Sequence, residues 1–278
     1  MDTLIPTSAD LAGDPTVISR AEAVRPAVEA ASNEIEDKRR LPPALLDKLH
    51  EAELFRLLLP RSSNGIETDP VTFFHVIETI ARGDASTAWC LSQAGGCAMS
   101  AAYLDLPVAQ SIFGKDPRAV LAWGPGPRVK AIECEGGYKV TGVWAFASGG
   151  RHATWLGAHC PIYQADGSPR LDENGVQQER TMLVRTEDVV WTDIWNTVGL
   201  RGTASDQFAL TDFFVRADEF HGSKLARRGR PPTGLPRKQV TTICLSPEVM
   251  DAFKATGAGW QTRIDAALKD WLKTHSPG

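Results

Sequence analysis

Apolar residues in the first hundred positions recur at helical spacing. Val17, Ala21, Val24, Val28, Ala31 and Ile35 alternate in steps of four and three, which lines one helix face and leaves Pro26 as a kink or a restart. Pro42 and Pro43 open a second helix carrying Leu45, Leu46, Leu49 and Ala52. Proline is tolerated there because the first-turn N–H has no helical partner. Asp69-Pro70 reads as a cap and a start, with Phe73, Phe74, Ile77 and Ile80 as the buried face that follows. Another apolar helix begins at Asp84 or Ser86 and runs through Trp89 and Leu91 to about Ala102. Everything up to about Phe113 reads as α.

Beyond Val120 the period shortens. Val120–Trp123, Val129–Cys134, Tyr138–Phe146, Thr154–Cys160, Thr181–Val184 and Phe208–Val215 are β-like runs separated by Gly, Pro and Asp. Asp166-Gly167 and Glu173-Asn174-Gly175 are turn signals inside a polar excursion. Helices followed by strands, without βαβ alternation, predict an α+β protein and exclude a doubly wound sheet. No GxGxxG follows a strand and no GxxxxGK[ST] is present, so neither standard phosphate cradle is expected.

The texture changes again at His221–Gln239, where prolines, glycines and six basic residues leave almost nothing apolar to bury. Such a stretch cannot offset its ordering entropy by packing and reads as a basic linker over 221–238. Charge changes sign across it. Residues 223–278 hold ten Lys/Arg against four Asp/Glu. Subtracting from 30 and 34 for the whole chain leaves 20 against 30 before it, so a net charge of −4 conceals an acidic body and a basic tail. After the linker, Gln239–Leu245 alternates as a short strand. Ser246-Pro247-Glu248 supplies a cap, a first-turn proline and an acid on the helix dipole. Val249, Met250 and Phe253 share a face until Gly257-Ala258-Gly259. Trp260, Ile264, Leu268 and Trp271 line a second helix. One unpaired strand and two helices cannot bury a core alone, so a second copy is expected to complete a two-stranded ribbon.

Cys90, Cys97, Cys134, Cys160 and Cys244 show no CxxC pair, which suits reduced thiols in a cytoplasmic protein. No apolar stretch approaches 18 residues and no leader pattern opens the chain, so neither membrane spanning nor secretion is expected. No metal-ligand spacing occurs, and His152 and His159 read as structural residues of a strand region. Trp144-Ala145-Phe146-Ala147-Ser148-Gly149 carries bulky aromatics into a small-residue turn. By pattern it is core followed by an ordinary turn. The same geometry could set an indole beside a planar ring and offer a hydroxyl and backbone N–H to that ring's polar edge, though the pattern alone favours core and turn. In Arg201-Gly202-Thr203-Ala204-Ser205 the glycine permits close backbone approach, and the hydroxyls and arginine suit a phosphate or a loop clamp; a tight turn between strands remains as good a reading.

Four segments, RRLPPALLDKLHEAELFRLLLP, ARGDASTAWCLSQAG, GGYKVTGVWAFASGGRHATW and VGLRGTASDQF, fall in one order over residues 15–220. Together they resemble the acyl-CoA dehydrogenase superfamily, in its flavin-dependent monooxygenase branch. The resemblance implies a helical N-terminal domain over 1–115, a middle β-barrel domain over 116–220, and FAD or reduced FMN lying against the barrel. It places Trp144, Ser148, Gly149, Trp89, Arg201, Thr203 and Ser205 at the flavin, and leaves the catalytic residue unknown. Superfamily enzymes continue into a helix bundle that carries the catalytic base. Here Phe214-Val215-Arg216 leads into the basic linker, so weak flavin binding and no turnover by this chain alone are expected.

Residues 227–275 resemble the BrnA-type antitoxin, a ribbon-helix-helix protein, placed here over 239–278. The resemblance implies a homodimer that lays its ribbon in the DNA major groove and pairs with a toxin. Val240, Thr242 and Cys244 would face the groove, Ile243 and Leu245 the core, and Arg228, Arg230, Arg237 and Lys238 the phosphates. The N-terminus of the second helix, at Trp260–Thr262, would hold a further phosphate. Cys244 departs from the arginine usual in such strands, which puts base reading in doubt. Two functions are therefore expected of the whole: a truncated flavin-binding oxidoreductase fused to a DNA-binding module, or an antitoxin-like repressor with the body as passenger.

Overall fold

A computed structural model describes residues 12–216 and 247–255, with Arg263, Ile264, Ala267, Asp270 and Lys273 beyond them. Contacts divide the chain into two compact units, Met1–Arg228 and Gly229–Gly278.

The first unit begins with helices whose ends follow from local chemistry. α1 (Pro15–Lys38) is capped by Asp14, whose carboxylate accepts the Thr16 N–H at 2.8 Å. Pro26 does not restart the element: α1 runs through as one helix. Pro26 and Glu22, the residue whose carbonyl loses its partner, are both solvent-exposed, so water can take the missing bond. α2 (Pro43–Glu51) buries Leu45 and Leu49. α3 (Pro70–Ala81) is capped by Asp69, which accepts from Val71 and Thr72 N–H groups. Its buried stripe is Thr72, Val76 and Ile80, with Phe73 and Ile77 packed at the margin. Phe74, expected on that face, is 64% exposed, because the stripe is set by the Thr72 hydroxyl, which accepts the Asp14 N–H that opens α1. α4 (Ala85–Ala98), capped by Asp84 on Thr87 N–H, and the short α5 (Leu106–Ala109) complete the helical part.

Between α2 and α3 the chain loops around Arg56, a buried cation. Its guanidinium donates to the carbonyls of Asn64, Ser63 and Phe113 at 2.9 Å each and, more loosely, to Asp116 and Pro117. One side chain thus ties the 57–69 loop to the segment that leads into the sheet.

Seven strands follow: β1 (Leu121–Trp123), β2 (Lys130–Cys134), β3 (Gly137–Trp144), β4 (Trp155–Tyr163), β5 (Glu179–Arg185), β6 (Val190–Thr192) and β7 (Gln207–Arg216). They form one curled sheet in the order β1-β4-β2-β3-β7-β6, with β5 antiparallel on β4. The six expected strands are present within a few residues of their predicted ends. β6 was not legible because it is three residues long at the sheet margin and none of its residues is fully buried. The larger of two core clusters among the described residues runs from the helices into the sheet, joining Val28, Leu49 and Leu91 to Val140, Trp144 and Phe208, and the smaller gathers Leu59, Phe113, Leu121, Trp155 and Leu183.

In the second unit, α6 (Pro247–Lys254) occupies the segment expected to be helical, with Glu248 in its first turn, and Arg263, Ile264, Ala267 and Asp270 are also helical. The expected strand Gln239–Leu245 and the 221–238 linker lie outside the described residues. No helix among the described residues is long and apolar enough to cross a membrane.

Replacing Arg56 by Met should destabilise the first unit by about 3 kcal/mol, because three well-aligned carbonyls lose a charged donor. Chemical denaturation followed by tryptophan fluorescence measures this. A loss below about 1 kcal/mol would show that water substitutes for the guanidinium.

Candidate functional site

Three segments distant in sequence meet where β3 ends and β7 begins. They are the Phe146–Gly149 turn, the Arg201–Ser205 turn and the first half of α4. Gly202 makes the approach possible. A Cβ there would lie 2.0 Å from Ile35 Cγ2 on α1 and 2.9 Å from Ser86 Cβ on α4, so no larger residue fits without displacing a helix. Gly149 has φ +72°, a left-handed conformation that glycine adopts without strain.

The meeting point is laced by hydroxyls. Trp89 Nε1 donates to Ser148 Oγ at 3.0 Å; Ser148 Oγ and Ser205 Oγ are 2.7 Å apart; Ser205 Oγ and Thr203 Oγ1 are 2.7 Å apart; Thr203 Oγ1 donates to the Leu200 carbonyl at 2.9 Å. The direction of every bond follows from the two ends. A hydroxyl has one proton. Thr203 gives its proton to Leu200, so Ser205 must donate to Thr203, and Ser148 to Ser205. Ser148 therefore accepts from Trp89 and keeps one lone pair but no proton to offer. The neighbouring backbone donors are also engaged. Ala147 N–H bonds the Asp206 carbonyl, Ser148 N–H the Phe146 carbonyl, Gly149 N–H the Thr203 carbonyl and Gly150 N–H the Ala147 carbonyl. The turn was expected to offer a hydroxyl and backbone N–H to a ligand. Instead the Ser148 hydroxyl can only accept, and the N–H groups of residues 147–150 are taken.

Five of the seven candidate residues are brought together: Trp89, Ser148, Gly149, Thr203 and Ser205. Two stand apart. Trp144 has no solvent-exposed surface; its ring is stacked on Phe208 at 5.2 Å and its N–H is given to the His159 carbonyl at 3.0 Å. It supports the site from inside the core and cannot face a ligand as placed. Arg201 reaches the Glu36 carbonyl at 3.3 Å and the Glu36 carboxylate at 3.2 Å, clamping its loop to α1 rather than presenting a free cation.

Sequence reasoning missed three contributors. Phe146 is 60% exposed with φ 54°, and its ring meets Trp195 edge-on at 5.9 Å. Trp89, whose N–H reaches Ser148 in the same turn, is 44% exposed, so both aromatic side chains stand open to solvent. Asp206 is buried. One of its carboxylate oxygens accepts from Ile194 and Trp195 N–H groups at 3.0 and 3.1 Å, and the other from Arg151 Nε at 2.8 Å. Arg151 in turn lies over the Trp191 ring at 4.6 Å. From the other side Arg39 holds Asp193 through two bonds and donates to the Trp195 carbonyl at 2.8 Å. That pairing holds the Asp193 carboxyl below the usual range. Phe146, Leu200 and Ala204 all adopt left-handed backbone without being glycine. Such strain persists only where surrounding contacts over-determine it, and it concentrates at functional sites.

His152 and His159, read from the sequence as structural residues, are each held by hydrogen bonds. His152 Nε2 accepts the Leu41 N–H at 3.0 Å, fixing the ring to the α1–α2 junction. Burial, with Arg40 nearby, lowers its pKa to about 4. His159 lies on the sheet's outer side between Thr181 and Glu179. Burial pushes the Cys97 and Cys160 thiols up to about 12, so neither is poised as a nucleophile. Among the described residues no group of three His, Cys, Asp or Glu could hold a metal ion. The DNA-facing candidates Arg228, Arg230, Arg237, Lys238, Val240, Thr242 and Cys244 lie outside the described residues.

The chain is similar to known proteins. Residues 20–105 match the model for the acyl-CoA dehydrogenase N-terminal domain, and residues 206–272 match that for the BrnA antitoxin of type II toxin-antitoxin systems. The body thus resembles the flavin-dependent monooxygenases built on the acyl-CoA dehydrogenase fold. In particular, the oxygenase subunit HsaA of a flavin-dependent monooxygenase from Rhodococcus jostii is 32% identical over 71% of this chain and 50% of its own length. Two solved structures are similar. The 3-HSA hydroxylase from Rhodococcus sp. RHA1 has a TM-score of 0.66 at 32% identity, covering 73% of this chain and 52% of that one. XiaF from Streptomyces, solved with FADH2 and glycerol, has a TM-score of 0.68 at 28% identity, covering 80% of this chain and 55% of that one. The chain spans about half the length of the curated relatives it matches.

The His152 environment makes stability depend on pH with a definite sign. The folded ring stays neutral down to about pH 4, whereas an unfolded histidine takes its proton near 6.5. Stability is therefore full above about pH 6.5, falls as pH drops toward 4, and levels below it. His50, also lowered to about 4 by burial, adds to the same window. His152→Gln, which keeps an acceptor for Leu41, should flatten part of that decline in denaturation midpoints measured between pH 7 and 4. An unchanged decline would place the titration elsewhere.

Proposed function

We propose that the body binds reduced flavin against the Trp89–Phe146 wall, as the flavin-facing half of a monooxygenase-type oxygenase. The observation that carries this is the fixed polarity of the hydroxyl chain. A ligand meeting Ser148 must bring its own N–H or O–H. Dihydroflavin carries an N–H at N5 where the oxidised ring has only a lone pair, so the acceptor-only hydroxyl discriminates between the two redox states. The exposed apolar rings suit the planar face of a flavin. The donor set therefore fits either FADH2 or reduced FMN, and the relatives' flavin dependence points the same way. When bound, reduced flavin supplies the electrons and the site of reaction with oxygen. The chain's own part is to accept a hydrogen bond at Ser148 Oγ, to present apolar surface at Trp89 and Phe146, and to hold both turns rigid. Because Phe146 and Trp89 stand open, the described residues form one wall, so affinity is expected to be weak. His152 and His159 are both committed to structural bonds, which supports binding without turnover by this chain alone.

Anaerobic titration with reduced and oxidised FMN tests the reading. The wild-type chain should bind the reduced form more tightly, and Ser148→Ala should cut that preference about tenfold, the order expected for one hydrogen bond. Equal affinity for both forms, or an unaltered preference in Ser148→Ala, would refute the assignment.

A second reading is favoured by the antitoxin match, which begins at Asp206, one residue before strand β7, and extends to residue 272. On it the tail dimerises, binds DNA and meets a toxin partner, with the domain boundaries as expected from the sequence. Charge supports this, since residues 223–278 hold ten Lys/Arg against four Asp/Glu. DNA binding should then be mainly electrostatic, log affinity falling by about one unit per unit of log salt for each phosphate engaged. Gel-shift titrations across salt concentrations measure the slope. Cys244→Arg should sharpen operator preference by about 1–3 kcal/mol per half-site with little change in slope. A slope near zero would remove the DNA-binding reading.

A further inference from the structure

A second cavity lies on the body and shares no residue with the hydroxyl chain. It measures about 680 Å³ and opens between α5, the end of β5 and the end of β7. Trp155, 5% exposed, and the buried Leu183 and Val215 form its floor; Val108 and Phe213 wall it. This size and lining suit a small organic ligand. The polar groups are few and placed at the rim. Arg185 lays its guanidinium over the Trp155 ring at 4.2 Å. It is exposed and meets no carboxylate at ion-pair distance among the described residues. Asp188 and Arg216 also line the rim.

A guanidinium spread on an indole is fixed in orientation while its donor edge stays available, which preorganises it for a carboxylate. We propose that this cavity is a binding site for an amphipathic organic acid, an aromatic or medium-chain carboxylate whose apolar body covers Trp155 and Leu183 and whose anionic head meets Arg185. A neutral molecule of the same shape would forgo the charge-assisted bond. An inorganic anion would leave the apolar floor in water.

Calorimetric titration of the full chain with octanoate and phenylacetate, and with octanol as the neutral control, tests the proposal. The acids should bind and octanol bind about tenfold more weakly, the order expected for one charge-assisted bond. Whichever acid binds tighter identifies the body preferred. Arg185→Gln should weaken acid binding about tenfold and leave octanol unchanged, while Val108→Trp, which fills the wall, should weaken all three. Reduced-FMN affinity should be the same in Arg185→Gln as in wild type. Absence of acid binding at millimolar concentration would overturn the proposal, as would acid affinity indifferent to Arg185→Gln. Competition between octanoate and reduced FMN would assign Arg185 to the flavin wall and overturn it equally.

Discussion

The Asp206 carboxylate is the constraint on which the candidate site depends. It follows Ser205, the middle of the hydroxyl chain, and opens the strand that pairs with β3. Its oxygens fix Ile194 and Trp195 on one side and Arg151 on the other, while its own carbonyl receives the Ala147 N–H. These partners come from three segments: the 193–200 loop, the turn after β3 and the short helical turn beyond it. A buried carboxylate is tolerable only when its lone pairs are filled. Here filling them forces three segments into one register. Phe146 and Leu200 can then be held in left-handed conformations that isolated residues of these types rarely adopt.

With the frame fixed, the hydroxyl chain acquires a direction. The Leu200 carbonyl at one end and the Trp89 N–H at the other leave no freedom in between, so the electrostatic character of Ser148 is set two residues away from any ligand. Polarity imposed at a distance makes the wall selective for a hydrogen-bond donor. It also explains why the serines and threonine are buried: exposed to water, their protons could turn and the selectivity would be lost.

Much of the scaffold was legible in the chain. The apolar stripe of α1, the Asp69 and Asp84 caps and the prolines at the starts of α2 and α3 marked the helices, and alternating apolar residues marked six of seven strands. Local chemistry decides such features, so sequence reveals them. The site was legible only where a motif named it. Alternation assigned Trp144 inward, but whether an inward indole meets core or ligand depends on Phe208, sixty-four residues later. Arg201 suited a phosphate or a loop clamp by its neighbours alone; Glu36 on α1 makes it the clamp. Phe146 and Asp206 gave no signal of their own, since an exposed aromatic in a turn and an aspartate before a strand are commonplace. Their roles exist only in the tertiary arrangement.

The account's central claim is that the Asp206 carboxylate orders the loop beside the flavin wall. Asp206→Asn keeps the shape while removing the charge that Arg151 meets and weakening the acceptor for two amides. Hydrogen exchange of the Ile194 and Trp195 amides, followed by mass spectrometry or NMR, measures the consequence directly. Exchange at those amides should speed by at least about tenfold, the order of one charged hydrogen bond, while the α3 core amides keep their wild-type protection. Unchanged protection at Ile194 and Trp195 would show that the loop is held by Arg39 and Asp193 alone, and that Asp206 is not the organising group.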